Sequence, residues 1–120
     1  MFYFLLVACK NINTEETAKE PSYFSNCTSE EVLYQSITVE DLSLNVACRG
    51  VGETVVLLHG FPEFSYGWDK VMEELANEYR LIAPDQRGYN LSDKPQEVES
   101  YHIDYLVKDI KNLISTISSE

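Results

Sequence analysis

Thr54-Val55-Val56-Leu57-Leu58-His59-Gly60-Phe61-Pro62-Glu63 constrains this chain more than any other stretch. Val55 to Leu58 is an unbroken apolar run, so both of its faces must be covered, as in the middle of a parallel sheet. The run stops abruptly at His59-Gly60. Gly60 admits backbone conformations closed to residues with a side chain, and Pro62 fixes its own φ and donates no hydrogen bond. The turn therefore aims backbone N–H groups around Phe61 outward from the carboxyl end of a strand. Open α/β sheets place their ligand sites there.

The surrounding pattern supplies the rest of such a sheet. Ile37 and Val39, then Leu42, Leu44, Val46 and Cys48, alternate across Glu40-Asp41 and predict a hairpin of two half-buried antiparallel strands. Arg49 to Glu53 is a turn. After Glu63 the period becomes helical: Trp68, Val71, Met72, Leu75 and Tyr79 share one stripe, with Ser65 as the N-cap candidate. Arg80 to Pro84 is a short strand ending at Asp85, which completes a βαβ unit of right-handed crossover. Gln86 to Glu99 is a loop. Ser100 caps a second amphipathic helix over Tyr101 to Ile117, with Ile103, Leu106, Val107, Ile110, Leu113, Ile114 and Ile117 on its apolar stripe. A further strand is expected after that helix, and without it the sheet has an open edge, a liability for aggregation.

The first 31 residues read differently. Met1 to Cys9 is apolar but too short to span a bilayer as a helix. Leu6-Val7-Ala8-Cys9 resembles a bacterial lipobox, which implies a lipidated Cys9 and attachment to a membrane. The other reading of the same residues is a hydrophobic N-terminal strand or a stray tail. Lys10 to Glu31 is polar and aperiodic, a linker. The division is thus a leader and linker over residues 1–31 and a partial α/β domain over residues 32–120. Cytoplasmic placement and export are both open. Asn26-Cys27-Thr28 and Asn90-Leu91-Ser92 fit the glycosylation sequon, which matters only in a eukaryotic secretory pathway.

Composition narrows the function classes. An apolar share of 44% over 120 residues is enough for one domain with a real core. The net charge of -11 argues against nucleic acid and anionic membrane surfaces as partners. Cys9, Cys27 and Cys48 have no C-x-x-C spacing, and His59 and His102 are far apart, so no metal site is expected. The default is three free thiols. A Cys27–Cys48 disulfide is open in an oxidising compartment.

His59-Gly60-Phe61-Pro62-Glu63, then Trp68, then Asp85-Gln86-Arg87-Gly88-Tyr89, Ser92 and Lys94-Pro95, resemble the N-terminal half of an α/β-hydrolase core. The resemblance is to the epoxide hydrolase-like group and covers roughly Val32 to Ile117. It implies a small-molecule substrate, an epoxide or ester, and no cofactor. It implies that the Phe61 backbone N–H forms half of an oxyanion hole, with His59, Gly60 and Pro62 shaping the turn and the Phe61–Pro62 bond cis. Asp85, Arg87 and Gly88 correspond to the family's structural Asp-x-Arg-Gly turn, with an Asp85–Arg87 pair holding the loop. Glu63 and Ser92 are candidates for the rim of the site.

His59 is not a candidate catalytic base. In this family the nucleophile comes first, then the acid, then the histidine, and His59 precedes them all. It is expected to be a buried brace, and His102 a solvated residue. No Gly-x-Ser-x-Gly elbow occurs in the 120 residues. The nucleophile, acid and catalytic histidine of the family correspond to positions beyond Glu120, so the chain resembles the opening portion of an enzyme and is expected to be inactive alone. The resemblance implies an Asp nucleophile that opens an epoxide through an ester, which water then cleaves. Phe61 argues against haloalkane dehalogenases, which resemble this group but commonly place a halide-binding Asn there. Haloacetate dehalogenases, serine esterases and carbon–carbon bond hydrolases stay open. So does a noncatalytic role, as a pseudoenzyme or one half of a split protein.

Overall fold

A computed structural model describes residues 5–8 and 22–118. Cys9, and with it the lipobox reading, lies outside them, as does most of the polar linker. Among the described residues no helix is long and apolar enough to cross a membrane.

Five strands form one mixed sheet: β1 (Leu5–Ala8), β2 (Leu33–Val39), β3 (Leu42–Arg49), β4 (Glu53–Leu58) and β5 (Tyr79–Pro84). Their spatial order is β1-β4-β5-β3-β2. The predicted hairpin is β2–β3, closed by a tight turn with Val39 opposite Leu42 and Glu40 at φ 56°. The predicted βαβ unit is β4, helix α1 (Asp69–Leu75) and β5, with β4 and β5 parallel. Helix α2 (Ile103–Ser118) follows the loop after β5.

The apolar periodicities divide between two layers. Ala47, Val55, Leu57, Leu81 and Ala83 meet Met72 of α1 on one face. Ile37, Val39, Leu42, Leu44, Val46, Cys48 and Ile82 meet Leu113 and Ile117 of α2 on the other. The helices thus lie on opposite faces of the sheet, a doubly wound arrangement. Burying a side chain such as Ile82 or Leu113 stabilises by roughly 1.5–3 kcal/mol.

Four expectations need correction. The strand β3 is not half-buried: Ala47 is as inaccessible as Val46, because β3 is an inner strand with layers on both faces. The first helix is shorter than its stripe. A 3-10 turn covers Ser65–Trp68, α1 stops at Leu75, and Tyr79 has already entered β5. Ser65 caps nothing with its side chain and lies inside that turn; Ala76, not Leu75, carries the last buried contact. Likewise Ser100 falls within a 3-10 turn, Val98–Tyr101, and α2 begins two residues later than Tyr101. Of its apolar stripe, Ile103 and Val107 stay 62% and 52% exposed. The sheet under α2 is narrower than the stripe. Finally, the outer edge of β4 is not open. β1 pairs with it antiparallel, Leu5 opposite Leu58 and Ala8 opposite Val55.

Cys27 and Cys48 form a disulfide with Cα atoms 5.9 Å apart. This overturns the default of free thiols for that pair. Phe24 and Cys27 are both buried in the α2-side core, so residues just before β2 are bound to the domain. The bridge closes a loop of 21 residues in sequence separation. By the chain-entropy account such a loop contributes about 3 kcal/mol. Cys27→Ser in urea unfolding should therefore lower the midpoint by an amount equivalent to about 3 kcal/mol. Dithiothreitol should do the same to the parent chain and leave Cys27→Ser unchanged. An equal response of both chains to reductant would refute the assignment.

Candidate functional site

The loops at the carboxyl ends of β4 and β5 lie side by side. After Leu58 the chain turns through Gly60-Phe61-Pro62-Glu63, where Phe61–Pro62 is cis and the Glu63 N–H donates to the Gly60 carbonyl at 2.9 Å. This is a type VI turn. Proline in its third position closes the turn without needing the N–H it lacks. The Phe61 N–H has no acceptor among the described residues, and the Phe61 side chain is 82% exposed. A main-chain donor therefore stands at the end of a central strand, held by its turn and free to meet a ligand.

His59 ties this turn to the next loop. Its side chain is buried, and its Nε2 accepts the Gln86 N–H at 3.0 Å. Nε2 is then the bare nitrogen, so Nδ1 carries the proton and donates to the Gly60 carbonyl at 3.1 Å. Gln86 Nε2 donates in return to the His59 carbonyl at 2.5 Å. The Tyr89 ring meets the imidazole edge-on with centroids 4.7 Å apart. Both ring nitrogens are used in holding the two loops together, which leaves neither for proton transfer.

Asp85 anchors the second loop. It is fully inaccessible. Its Oδ1 accepts the Ser65 N–H at 2.8 Å, and its Oδ2 accepts Asn45 Nδ2 at 2.8 Å and Asn90 Nδ2 at 2.9 Å. Burial pushes the carboxyl pKa up, but the hydrogen bonds from Asn45, Ser65 and Asn90 outweigh it and hold the group below the usual aspartate range. The same loop is clamped to β3 through its backbone. The Asp85 N–H donates to the Asn45 carbonyl at 2.8 Å, and the Ser92 hydroxyl donates to the Asp85 carbonyl while accepting the Asn45 N–H at 2.9 Å.

The expected Asp85–Arg87 pair does not form. Asp85 turns under the loop toward Ser65 and β3, whereas Arg87 points out to α2. There Arg87 Nε and Nη2 meet the two Asp109 oxygens at 2.6 Å each, and Nη1 donates to the Ser100 carbonyl at 2.5 Å. The guanidinium carbon sits 5.4 Å from the Tyr105 ring centroid. The hydrogen bonds to Asp109 raise the Arg87 pKa further above its ordinary value. This fork-to-fork pair seats α2 on the loop. Gly88 is required beside it: φ is 85°, and a Cβ there would lie 2.6 Å from the Tyr101 ring.

The sequence reading thus placed the residues of both loops but missed Asn45, Asn90 and Asp109. Asn45 and Asp109 sit in ordinary strand and helix patterns, and nothing in their neighbourhoods signals a partner. Asn90 carried one signal, as a residue type that tolerates the left-handed conformation it adopts at φ 42°. Ser92 is buried, not at a rim; Glu63 is exposed beside the turn. A cleft of about 650 Å³ between the β2–β3 turn and α2, lined by Asp41, Arg87, Lys94 and Lys108 among others, does not include Phe61. Among the described residues no group of His, Cys, Asp or Glu could hold a metal ion.

The sheet, with a helix on each face and two strand-end loops side by side, is a doubly wound α/β core. Comparison with known proteins agrees. The family model described as alpha/beta hydrolase fold matches residues 53–119, more than half of the chain. The chain belongs to the α/β-hydrolase family. The AB hydrolase superfamily protein YfhM of Bacillus subtilis (strain 168) is 51% identical over 89 residues, which make up 72% of this chain and 31% of that protein. Epoxide hydrolase 1 of Caenorhabditis elegans is 52% identical over 60 residues, covering 50% of this chain and 15% of that one. The crystal structure of epoxide hydrolase VrEH1 from Vigna radiata superposes with a TM-score of 0.71 at 39% identity, over 73% of this chain and 29% of the other. The fold is therefore the expected partial core, similar to epoxide hydrolases. The chain spans less than a third of the length of these relatives.

Proposed function

We propose that this chain contributes the first oxyanion-hole donor, the Phe61 N–H, to an epoxide hydrolase-like reaction, with the Asp85 and Arg87 loop as its structural support. The observation that carries the proposal is the unpaired Phe61 N–H at the end of β4, fixed by the Gly60–Glu63 turn and the His59 bridge. Relatives named as epoxide hydrolases support the substrate class. In this reading a carboxylate nucleophile attacks an epoxide carbon and the carbon–oxygen bond breaks. The ring oxygen leaves as an alkoxide that takes up a proton, and an ester remains on the enzyme. Water, giving a proton to the base, then adds to the ester carbonyl, whose oxygen becomes negative until the adduct collapses, breaking the ester carbon–oxygen bond, releasing the diol and restoring the carboxylate. Preorganised donors stabilise that charge without having to reorient, and Phe61 supplies one of them.

The nucleophile, the acid and the base come from outside the residues described here in this reading. Purified alone, the 120-residue chain is expected to hydrolyse no epoxide. Residues 32–118 grafted in place of the matching stretch of the Bacillus subtilis relative are expected to support turnover of an aryl epoxide, with a covalent ester detectable by mass spectrometry after rapid quenching. Turnover by the chain alone refutes the first expectation. A graft that folds and cleaves aryl esters but no epoxide refutes the second, and favours the esterase reading.

A further inference from the structure

Hydrogen-bond donors line up head to tail from β3 to the Phe61 N–H. Val46 lies opposite Pro84, so the next pair along the β3–β5 ladder is Asn45 and Asp85. Two residues that face each other in this way exchange both of their N–H···O bonds. Here only one bond is direct, from the Asp85 N–H to the Asn45 carbonyl at 2.8 Å. In place of the other stands the Ser92 hydroxyl, which accepts the Asn45 N–H at 2.9 Å and donates to the Asp85 carbonyl.

The series continues through two peptide groups. The Asp85 carbonyl shares its peptide with the Gln86 N–H, which donates to His59 Nε2 at 3.0 Å. The protonated His59 Nδ1 donates to the Gly60 carbonyl at 3.1 Å, and that carbonyl shares its peptide with the Phe61 N–H. Both peptides are trans, so in each the N–H points away from the carbonyl and the sense of donation is kept. A carbonyl that accepts a hydrogen bond draws density from its own nitrogen and makes the attached N–H a better donor. Ser92, Asp85 and His59 are all buried, so the low dielectric strengthens each link. No ionised group enters the series, because the Asp85 carboxylate is turned to Ser65, Asn45 and Asn90 instead.

We propose that Ser92 is a positioning residue for the Phe61 donor, acting through this series, which aims the Gly60–Phe61 peptide and polarises its N–H. The catalytic use of the series rests on the reading of Phe61 as an oxyanion donor. Its existence does not, and the two are measured separately. Each bond in such a chain strengthens its neighbours by roughly 10–30%. Weakening the link at Ser92 therefore removes a fraction of the donor's effect and leaves the donor in place.

Ser92→Cys keeps the shape of the side chain but offers only a weak donor and a weak acceptor. In the isotope-labelled full chain it is expected to reduce the scalar coupling across the Gln86–His59 hydrogen bond and to move the Phe61 amide proton upfield. Ser92→Thr restores a hydroxyl and should return both signals toward the parent. In the grafted enzyme Ser92→Cys should lower kcat about three- to tenfold with KM nearly unchanged, well short of the loss expected when the N–H itself is removed. Cys27→Ser destabilises the domain away from the series and should move neither the Phe61 resonance nor kcat. Should Ser92→Cys fail to fold, the parent chain alone still decides, since a coupling from the Gln86 nitrogen to His59 Nε2 is required and its absence overturns the proposal. So does a Phe61 resonance that Ser92→Cys leaves unmoved, or that Cys27→Ser moves as far. A loss of kcat in Phe61→Pro with none in Ser92→Cys overturns the proposal and leaves the role of Phe61 standing. Parent-like kcat in Phe61→Pro overturns that role, and the catalytic use of the series with it.

Discussion

Phe61→Pro, in the grafted enzyme described above, is expected to lower kcat by about 10²–10³-fold while Phe61→Ala stays close to the parent. The asymmetry follows from where the donor resides. Alanine keeps the backbone N–H and removes only a ring that is 82% exposed. Proline removes the N–H itself. The Glu63 N–H to Gly60 carbonyl bond that closes the turn does not involve Phe61, so the turn survives the change. The loss should appear in kcat and much less in KM, since an oxyanion exists only in the reacting state. Single-turnover kinetics locate it further. Ester hydrolysis should slow more than ester formation, and the covalent ester should accumulate. Equal kcat for the proline and alanine variants would remove Phe61 from the mechanism.

How much of this could be read from the sequence depends on the range of each interaction. Val55 to Leu58, the β2–β3 alternation and the α1 and α2 stripes were legible, because a strand or helix buried on a known face writes its period into neighbouring residues. The turn at Gly60–Pro62 was legible because glycine and proline restrict the backbone by themselves. Pairings between distant residues leave no such local mark. Asp85 and Arg87 stand two apart and look like partners, yet each is satisfied elsewhere, Arg87 by Asp109 and Asp85 by Asn45, Ser65 and Asn90. The Cys27–Cys48 bridge was one of several states the thiols could take until the hairpin brought the two within reach. An N-terminal strand was readable from Leu5–Ala8 only as one alternative, and its partner β4 and its direction not at all, since four apolar residues fit many edges.

The Asp85 cluster carries the largest expected effect on stability. Asp85→Ala should cost about 3–5 kcal/mol, since it strips a charged acceptor from three donors in a fully inaccessible site. For a domain of this size that is a large part of the total, which is of order 5–15 kcal/mol. Asp85→Asn should cost roughly half as much. Its amide oxygen can replace Oδ2 and accept from both Asn45 and Asn90, but its NH2 then faces the Ser65 N–H, and one donor is left opposed to another. The comparison also has a pH signature. The hydrogen bonds hold the folded-state pKa of Asp85 below the unfolded value, so the group contributes stability that is complete above the usual aspartate pKa of about 3.9. That contribution is lost as pH falls from there through the lowered folded-state value. Urea midpoints of the parent and Asp85→Asn should accordingly differ by a constant amount near neutral pH and converge in strong acid. A difference that persists undiminished at low pH would mean that the charge on Asp85 is not what the three donors require. The loop would then be held by the shape of the side chain and by the backbone clamp through Ser92.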